Sequence, residues 1–197
     1  MSYEYSENEL VQNSAIELLR DTLGWRTFYA YNDEVLGNDS SSKSLGRSSY
    51  KEILLTRYLK EAVFKFNDWV TDEIFEQIVK ILNTKVSSDS DIQNNEKNYQ
   101  YFKDGIEVDV KDENGNYIKR RAKLFDFTHP EENNFLAVQE MKIWGEVYHR
   151  RADIVGFVNG IPLLFVELKR DDVDIQEAYD NNYKGYRTTI PKLFYYN

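Results

Sequence analysis

Cysteine is absent from this chain of 197 residues. That excludes disulfide staples, thiolate zinc sites and a cysteine nucleophile, and it fits a reducing cytoplasm. Nor does any run approach the roughly 20 consecutive apolar residues of a membrane-spanning helix. The polar, acidic N-terminus lacks the basic-then-apolar order of an export signal, so the expectation is a cytoplasmic protein with no membrane partner. Histidine occurs only at positions 129 and 149. Neither His129 nor His149 has metal-ligand spacing, and catalysis centred on histidine is disfavoured. No G-x-x-x-x-G-K-[S/T] loop is present, so this stretch of chain does not hydrolyse ATP through such a loop. Positive charge is also scarce, with 25 Lys and Arg against 34 Asp and Glu and a net charge of −9. Nucleic-acid binding draws its affinity from cations that neutralise phosphates, so this balance argues against a generic nucleic-acid-binding surface. Carboxylates gathered to hold a cation would contribute negative charge by design.

Apolar residues make up 41% of the chain and charged residues 30%, with 15 tyrosines. This is enough for one sizeable core, and the length suggests a single domain over 1–197. Ser6 and Glu9 have the spacing of a capping box ahead of Leu10, Val11, Ala15, Leu18, Leu19 and Leu23, which predicts a first helix over 7–23 stopped by Gly24. Residues 25–31 alternate like a strand, and the polar stretch 32–49 reads as a mobile loop. Helices over 50–66, 71–82 and 92–103 form an expected helical insertion at about 50–104. From Ile106 the period falls to two. A hairpin around Asn114-Gly115 is expected to start the sheet, followed by strands over 136–146, 148–158 and 161–169, a helix over 175–186 and an aromatic strand over 191–196. The chain ends directly after that strand, as expected of a fragment of a longer protein.

Three charged residues, Asp153, Glu167 and Lys169, surround the apolar hairpin 154–166. On the expected strand 161–169, alternation puts Glu167 and Lys169 on one face. Two carboxylates on adjacent strands make a hard oxygen site suited to Mg²⁺, which can polarise a phosphate and acidify a water while the lysine orients the water or stabilises developing charge. Phosphodiester hydrolysis is one reading, and a salt-bridge cluster at the strand ends is the other. Spacing alone does not choose, because Asp126 and Glu140-Met141-Lys142 repeat the same fourteen-residue separation. Context favours Glu167, which closes an almost continuous apolar run as a buried strand requires.

The hairpin register adds a condition. A two-residue turn at Asn159-Gly160 would set Asp153 against Val166 and turn it away from Glu167. Joint use of the two carboxylates therefore requires a three-residue connection 159–161 with Gly160 at positive φ, or a β-bulge such as one at Gly156.

The segments 6–12, 151–163, 167–169 and 190–197, taken in order, resemble the N-terminal part of the restriction subunit of type I restriction-modification enzymes. The resemblance implies an α/β fold of the PD-(D/E)xK nuclease type, a central mixed sheet flanked by helices. It implies a metal-dependent endonuclease that cuts double-stranded DNA non-specifically when translocation stalls. It also implies ATP-driven motor domains C-terminal to this fragment, with methyltransferase and specificity subunits as partners. Carried over, it makes Asp153 and Glu167 the Mg²⁺ ligands and Lys169 the catalytic lysine. Glu9, or alternatively Glu7, becomes the first-helix carboxylate lining the site. In RecB-like members a Gln-x-x-x-Tyr motif follows the Glu-x-Lys strand. Here Asn182 and Tyr186 match it with Asn in place of Gln, a side chain one methylene shorter. Arg151 is a candidate phosphate contact. A different class of function also remains open: a non-catalytic DNA-binding or assembly module of the motor subunit.

Overall fold

In a computed structural model, residues 7–37, 44–84, 91–168, 176 and 178–196 are described. In chain order the elements are α1 (Glu7–Glu17), a π turn (Leu18–Thr22), β1 (Arg26–Tyr29), α2 (Ala30–Asp33), α3 (Thr56–Phe66), α4 (Asp72–Asn83), α5 (Asp91–Asp104), β2 (Ile106–Lys111) and β3 (Tyr117–Ala122). There follow a 3₁₀ turn (Pro130–Glu132), β4 (Phe135–Trp144), β5 (His149–Val158), β6 (Ile161–Val166), a second π turn (Ala178–Tyr183), α6 (Lys184–Thr189) and a closing 3₁₀ turn (Pro191–Phe194). The chain divides into two compact units, the first comprising Met1–Ile53, Phe135–Val158 and Pro162–Phe194, the second Leu54–Asn134, Asn159–Ile161 and Tyr195–Asn197.

The first unit holds a four-stranded sheet in the order β1-β4-β5-β6. β1 runs parallel to β4, and β4 antiparallel to β5. The expected α/β class with a central mixed sheet flanked by helices is what forms. Ile16 of α1 and Leu19 of the π turn that continues it bury themselves against Ala137 of β4 and Ile154 of β5, with Trp25, Leu164, Val166 and Leu168 packed around them. Gly24 ends the helical run at φ 71°, a left-handed stop that suits glycine. A second aromatic layer forms where the Phe165 ring meets Tyr186 and Phe194 at 5.1 and 5.2 Å.

The second unit combines α3, α4 and α5 with the hairpin β2–β3. Tyr58, Leu59, Ala62 and Val63 are buried on α3, and Ile74, Phe75, Ile78 and Leu82 on α4. These are the three- and four-residue spacings of amphipathic helices. Thr71 caps α4 by accepting from the Ile74 N–H. Asparagines knit the loops of this unit. Asn67 donates to the Val63 and Lys123 carbonyls and accepts from the Lys123 N–H. Asn159, fully buried, donates to Leu124 O and Asn133 Oδ1 and accepts from the Asn134 N–H.

Several expectations change. The hairpin β2–β3 forms its own two-stranded sheet rather than starting the central one. Its β3 strand exposes five of its six residues and has only one inward side chain, Ala122, to offer a core. The stretch 32–49 is not one polar loop. α2 occupies its start, and Ser44, Leu45, Gly46 and Arg47 are buried. The helix expected from 50 begins at Thr56, because the Tyr50 carbonyl accepts from the Trp144 N–H and the Ser49 carbonyl from the Glu52 N–H. The strand 161–169 ends at Val166. The aromatic strand at 191–196 is a 3₁₀ turn, favoured by the fixed φ of Pro191 and closed by the Leu193 N–H donating to Ile190 O.

Candidate functional site

The site is built on β5 and the end of β6. Asn159 and Gly160 both take positive φ, at 50° and 79°. β5 pairs with β4 without interruption from Ile154 to Val158, so no bulge occurs at Gly156. The β5–β6 register shows at that glycine, where a Cβ would stand 2.9 Å from the Leu164 Cβ. Side chains that close are opposed and share a face. Gly156 therefore stands against Leu164. Counting two residues along each strand sets Ile154 against Val166, the last residue of β6, so the same register carried one residue further brings Glu167 level with Asp153, and two residues the other way sets Val158 against Pro162. The connection is thus Asn159-Gly160-Ile161, and Ile161 is the residue that shifts the register. The packing agrees: Ile154, Leu164, Val166 and Leu168 share the cluster beneath α1, which leaves Asp153 and Glu167 to the other face.

Asp153 is tied to the partner strand's end, since its Oδ2 accepts from the Leu168 N–H at 2.7 Å. Glu167 Oε2 is buried. Tyr186 on α6 reaches the same place. Its hydroxyl donates to the Arg151 carbonyl at 2.6 Å. Burial first, then the negative charges of Glu167 and Asp153, raise its pKa well above the ordinary tyrosine range, with Arg150 opposing. Tyr186 is therefore a fixed donor and not a base at any physiological pH.

Beside Asp153 the β4–β5 ladder lapses for one pair, between Gln139↔Ile154 and Met141↔Ala152. Glu140 takes φ 53° there, a costly conformation for a non-glycine residue and one that clusters at functional sites. Its carboxylate pairs with Arg151 Nε at 2.5 Å and accepts from Gln12 Nε2 at 2.9 Å. Gln12 Nε2 also donates to the Asp153 carbonyl at 3.2 Å, so a buried amide on α1 grips both strands where the ladder lapses. Sequence reasoning missed Gln12 as a site residue. The available signal was its place one helical turn before Ile16 on the inward face.

Of the other sequence candidates, Arg151 is present at the site but engaged by Glu140. Lys169 lies outside the described residues. The side chains of Glu9, Glu7 and Asn182 also lie outside them. Helical spacing does separate the two glutamate positions, with 9 on the Gln12–Ile16 face and 7 on the opposite side. Asp126 is committed elsewhere. It accepts from the Thr128 and His129 N–H groups and pairs with Lys123 at 3.1 Å, which holds its carboxyl down at about 2, the His129 N–H contributing most.

Among the described residues no three His, Asp or Glu side chains form a ready metal cage. A Mg²⁺ ion needs only one or two carboxylates, completing its octahedron with waters and substrate phosphate. The opposed pair Asp153 and Glu167 supplies hard oxygen donors of that kind.

The model of the type I restriction enzyme R protein N terminus family matches residues 4–197. The type I restriction enzyme HindI endonuclease subunit of Haemophilus influenzae is 30% identical over 196 residues, covering 98% of this chain and 18% of that protein. The putative type I restriction enzyme MjaIXP endonuclease subunit of Methanocaldococcus jannaschii is 28% identical over 198 residues, covering 97% of this chain and again 18% of the relative. This chain thus spans under a fifth of the length of the curated relatives it matches. With the match running almost from end to end, the chain belongs to the family of type I restriction enzyme R protein N-termini.

Proposed function

We propose that this chain is the endonuclease domain of a type I restriction subunit, hydrolysing phosphodiester bonds of double-stranded DNA without sequence preference. The observation that carries the reading is the opposition of Asp153 and Glu167 on one face, with Asp153 Oδ2 held by the Leu168 N–H. Asp153 and Glu167 would hold Mg²⁺, which when bound polarises the scissile phosphate and acidifies a water. Around it the chain's own groups have distinct tasks. The Leu168 N–H and Gln12 fix Asp153 from two sides. Tyr186, protonated throughout the working range, pins β5 through the Arg151 carbonyl. Lys169 would orient the attacking water and stabilise the charge that develops on the phosphate oxygens. The water oxygen bonds to phosphorus, the bond to the leaving sugar oxygen breaks, the water's proton passes to solvent, and the leaving oxygen takes up a proton from solvent to become a hydroxyl.

Under this reading the domain acts in the cytoplasm as one part of a longer chain whose ATP-driven motor lies beyond it. Methyltransferase and specificity subunits complete the enzyme. Among the described residues no helix is long and apolar enough to cross a membrane.

A second reading, a non-catalytic assembly module, draws support from the Glu140–Arg151 pair, which places a structural ion pair beside Asp153. Calorimetric titration of Mg²⁺ and Mn²⁺ into wild type and Asp153→Ala decides between them. Binding that depends on Asp153 supports the nuclease, and heat that is absent or indifferent to Asp153→Ala supports the module.

A further inference from the structure

Beyond Asp153, the outer face of β4 and β5 carries an ordered strip. In the β4–β5 register Lys142 stands opposite Arg151 and Trp144 opposite His149. Directly opposed residues share a face, and so do alternate residues of one strand. Asp153, Arg151 and His149 therefore line one face of β5, with Lys142 and Trp144 beside them on β4. Each step along the strip is two residues, roughly 6.8 Å. The Asp153 carboxylate comes first, then Lys142 and an Arg151 that is paired with Glu140 and half exposed, then two planar rings.

The cations are held in place. The Lys142 ammonium and the Arg151 guanidinium lie 4.8 and 4.9 Å from the centroid of the same Tyr31 ring, and Lys142 Nζ also donates to the Tyr31 carbonyl at 3.1 Å. Behind the strand, Arg47 is fully buried, paired with Glu34, and donates to the Lys142 carbonyl at 3.2 Å. A buried guanidinium bracing the backbone of a half-buried lysine is a support that a solvated surface lysine does not need. At the next step the Trp144 and His149 rings stack at 4.4 Å with 19° between their planes.

We propose that this strip is the track for the backbone of the duplex DNA strand being cut, an inference that rests on the nuclease reading above. A phosphate at the Asp153–Glu167 pair would have its neighbour one step away, against Lys142 and Arg151. The deoxyribose beyond would lie on the Trp144–His149 stack. On the track, phosphate would compete with Glu140 for Arg151 and meet Lys142 beside it, while the acidic remainder of the surface, which gives the chain its net charge of −9, stays out of contact. Contacts to phosphate position the duplex without reading its sequence.

The test is duplex binding by the 197-residue chain in EDTA, followed by fluorescence anisotropy over a salt series, with two duplexes of unrelated sequence. Lys142→Ala and Arg151→Ala should each weaken binding about tenfold on both duplexes and lower the slope of log K against log salt by about one. Arg151→Lys, which keeps the charge, should restore the slope, a rescue that misfolding would not produce. Lys80→Ala, an exposed lysine on α4, should bind as wild type. Unchanged slopes in both track variants, an equal loss in Lys80→Ala, or no salt-dependent binding by wild type would overturn the track. The nuclease reading is judged separately by cleavage in Mg²⁺. A chain that cleaves while the track variants bind normally overturns the track alone, and one that never cleaves yet loses slope with Lys142→Ala overturns the nuclease and supports the track.

Discussion

Asp126 and Asp153 stand at the same distance in sequence from a Glu-x-Lys triplet, yet their surroundings share almost nothing. Asp126 sits in a web of asparagines and turn N–H groups. Two N–H groups and Lys123 take its carboxylate, while its own N–H and C=O bond the Asn133 amide. Asp153 lies on a strand, facing another carboxylate across the pair, with Gln12, Leu168 and Tyr186 converging on the same point. The lesson is that spacing names a candidate, while the commitments of a carboxylate's lone pairs decide whether it shapes a loop or can hold an ion.

The largest effects should fall on chemistry at one aspartate and not the other. On the proposed nuclease reading, Asp153→Ala, Glu167→Ala and Lys169→Ala should each lower DNA cleavage in the complete enzyme by on the order of 10²–10³-fold or more while leaving any ATP-driven translocation intact. Asp126→Ala should cleave at the wild-type rate in the same assay. Loss of cleavage in Asp126→Ala with Asp153→Ala active would reverse the comparison.

The Asp126 neighbourhood should instead answer in stability. The Asn159 side chain makes three hydrogen bonds while fully buried at φ 50°, so Asn159→Ala should cost about 3 kcal/mol, read by urea unfolding. A cost under about 1 kcal/mol would show that the asparagine web is not what holds this region.

A smaller effect tests how Asp153 is held. Gln12→Ala should slow cleavage about tenfold, the equivalent of one hydrogen bond or ~1.4 kcal/mol, and lower the rate more than it raises KM. Restoration by Gln12→Glu, which cannot donate to the Asp153 carbonyl when ionised, would contradict a positioning role for the amide.

The mildest distinction is in acid. Asp126 is held at about 2 against an ordinary 3.8. A carboxylate depressed on folding stabilises the native state fully above 3.8, and that contribution is lost as pH falls towards 2. Asp126→Asn should therefore flatten the fall in thermal midpoint between those two values. An unchanged acid limb would remove Asp126 from the list of stabilising caps.

Much of the molecule was legible in its sequence because it rests on local period. Ile74, Phe75, Ile78 and Leu82 announce α4, and the alternation of Ile106 to Val110 announces β2. The last aromatic segment misled, since Phe194 and Tyr195 carry strand propensity but Pro191 starts a 3₁₀ turn. Arg47 misled for the opposite reason: a serine-rich polar stretch looks solvated until a buried partner, Glu34, is found thirteen residues away.

The sequence by itself determined the order of β1 to β6 and of the longer helices, the family and the candidate triplet, though not α2 or the closing 3₁₀ turn, because each of the former is written in neighbours along the chain. Which face Asp153 takes was left to the tertiary structure. Side-chain period in a strand is two, so one residue gained at the connection 159–161 turns a whole strand over. The grip of Gln12 on β4 and β5 likewise joins positions 128 and 141 residues apart, a separation that only packing of α1 against the sheet can close.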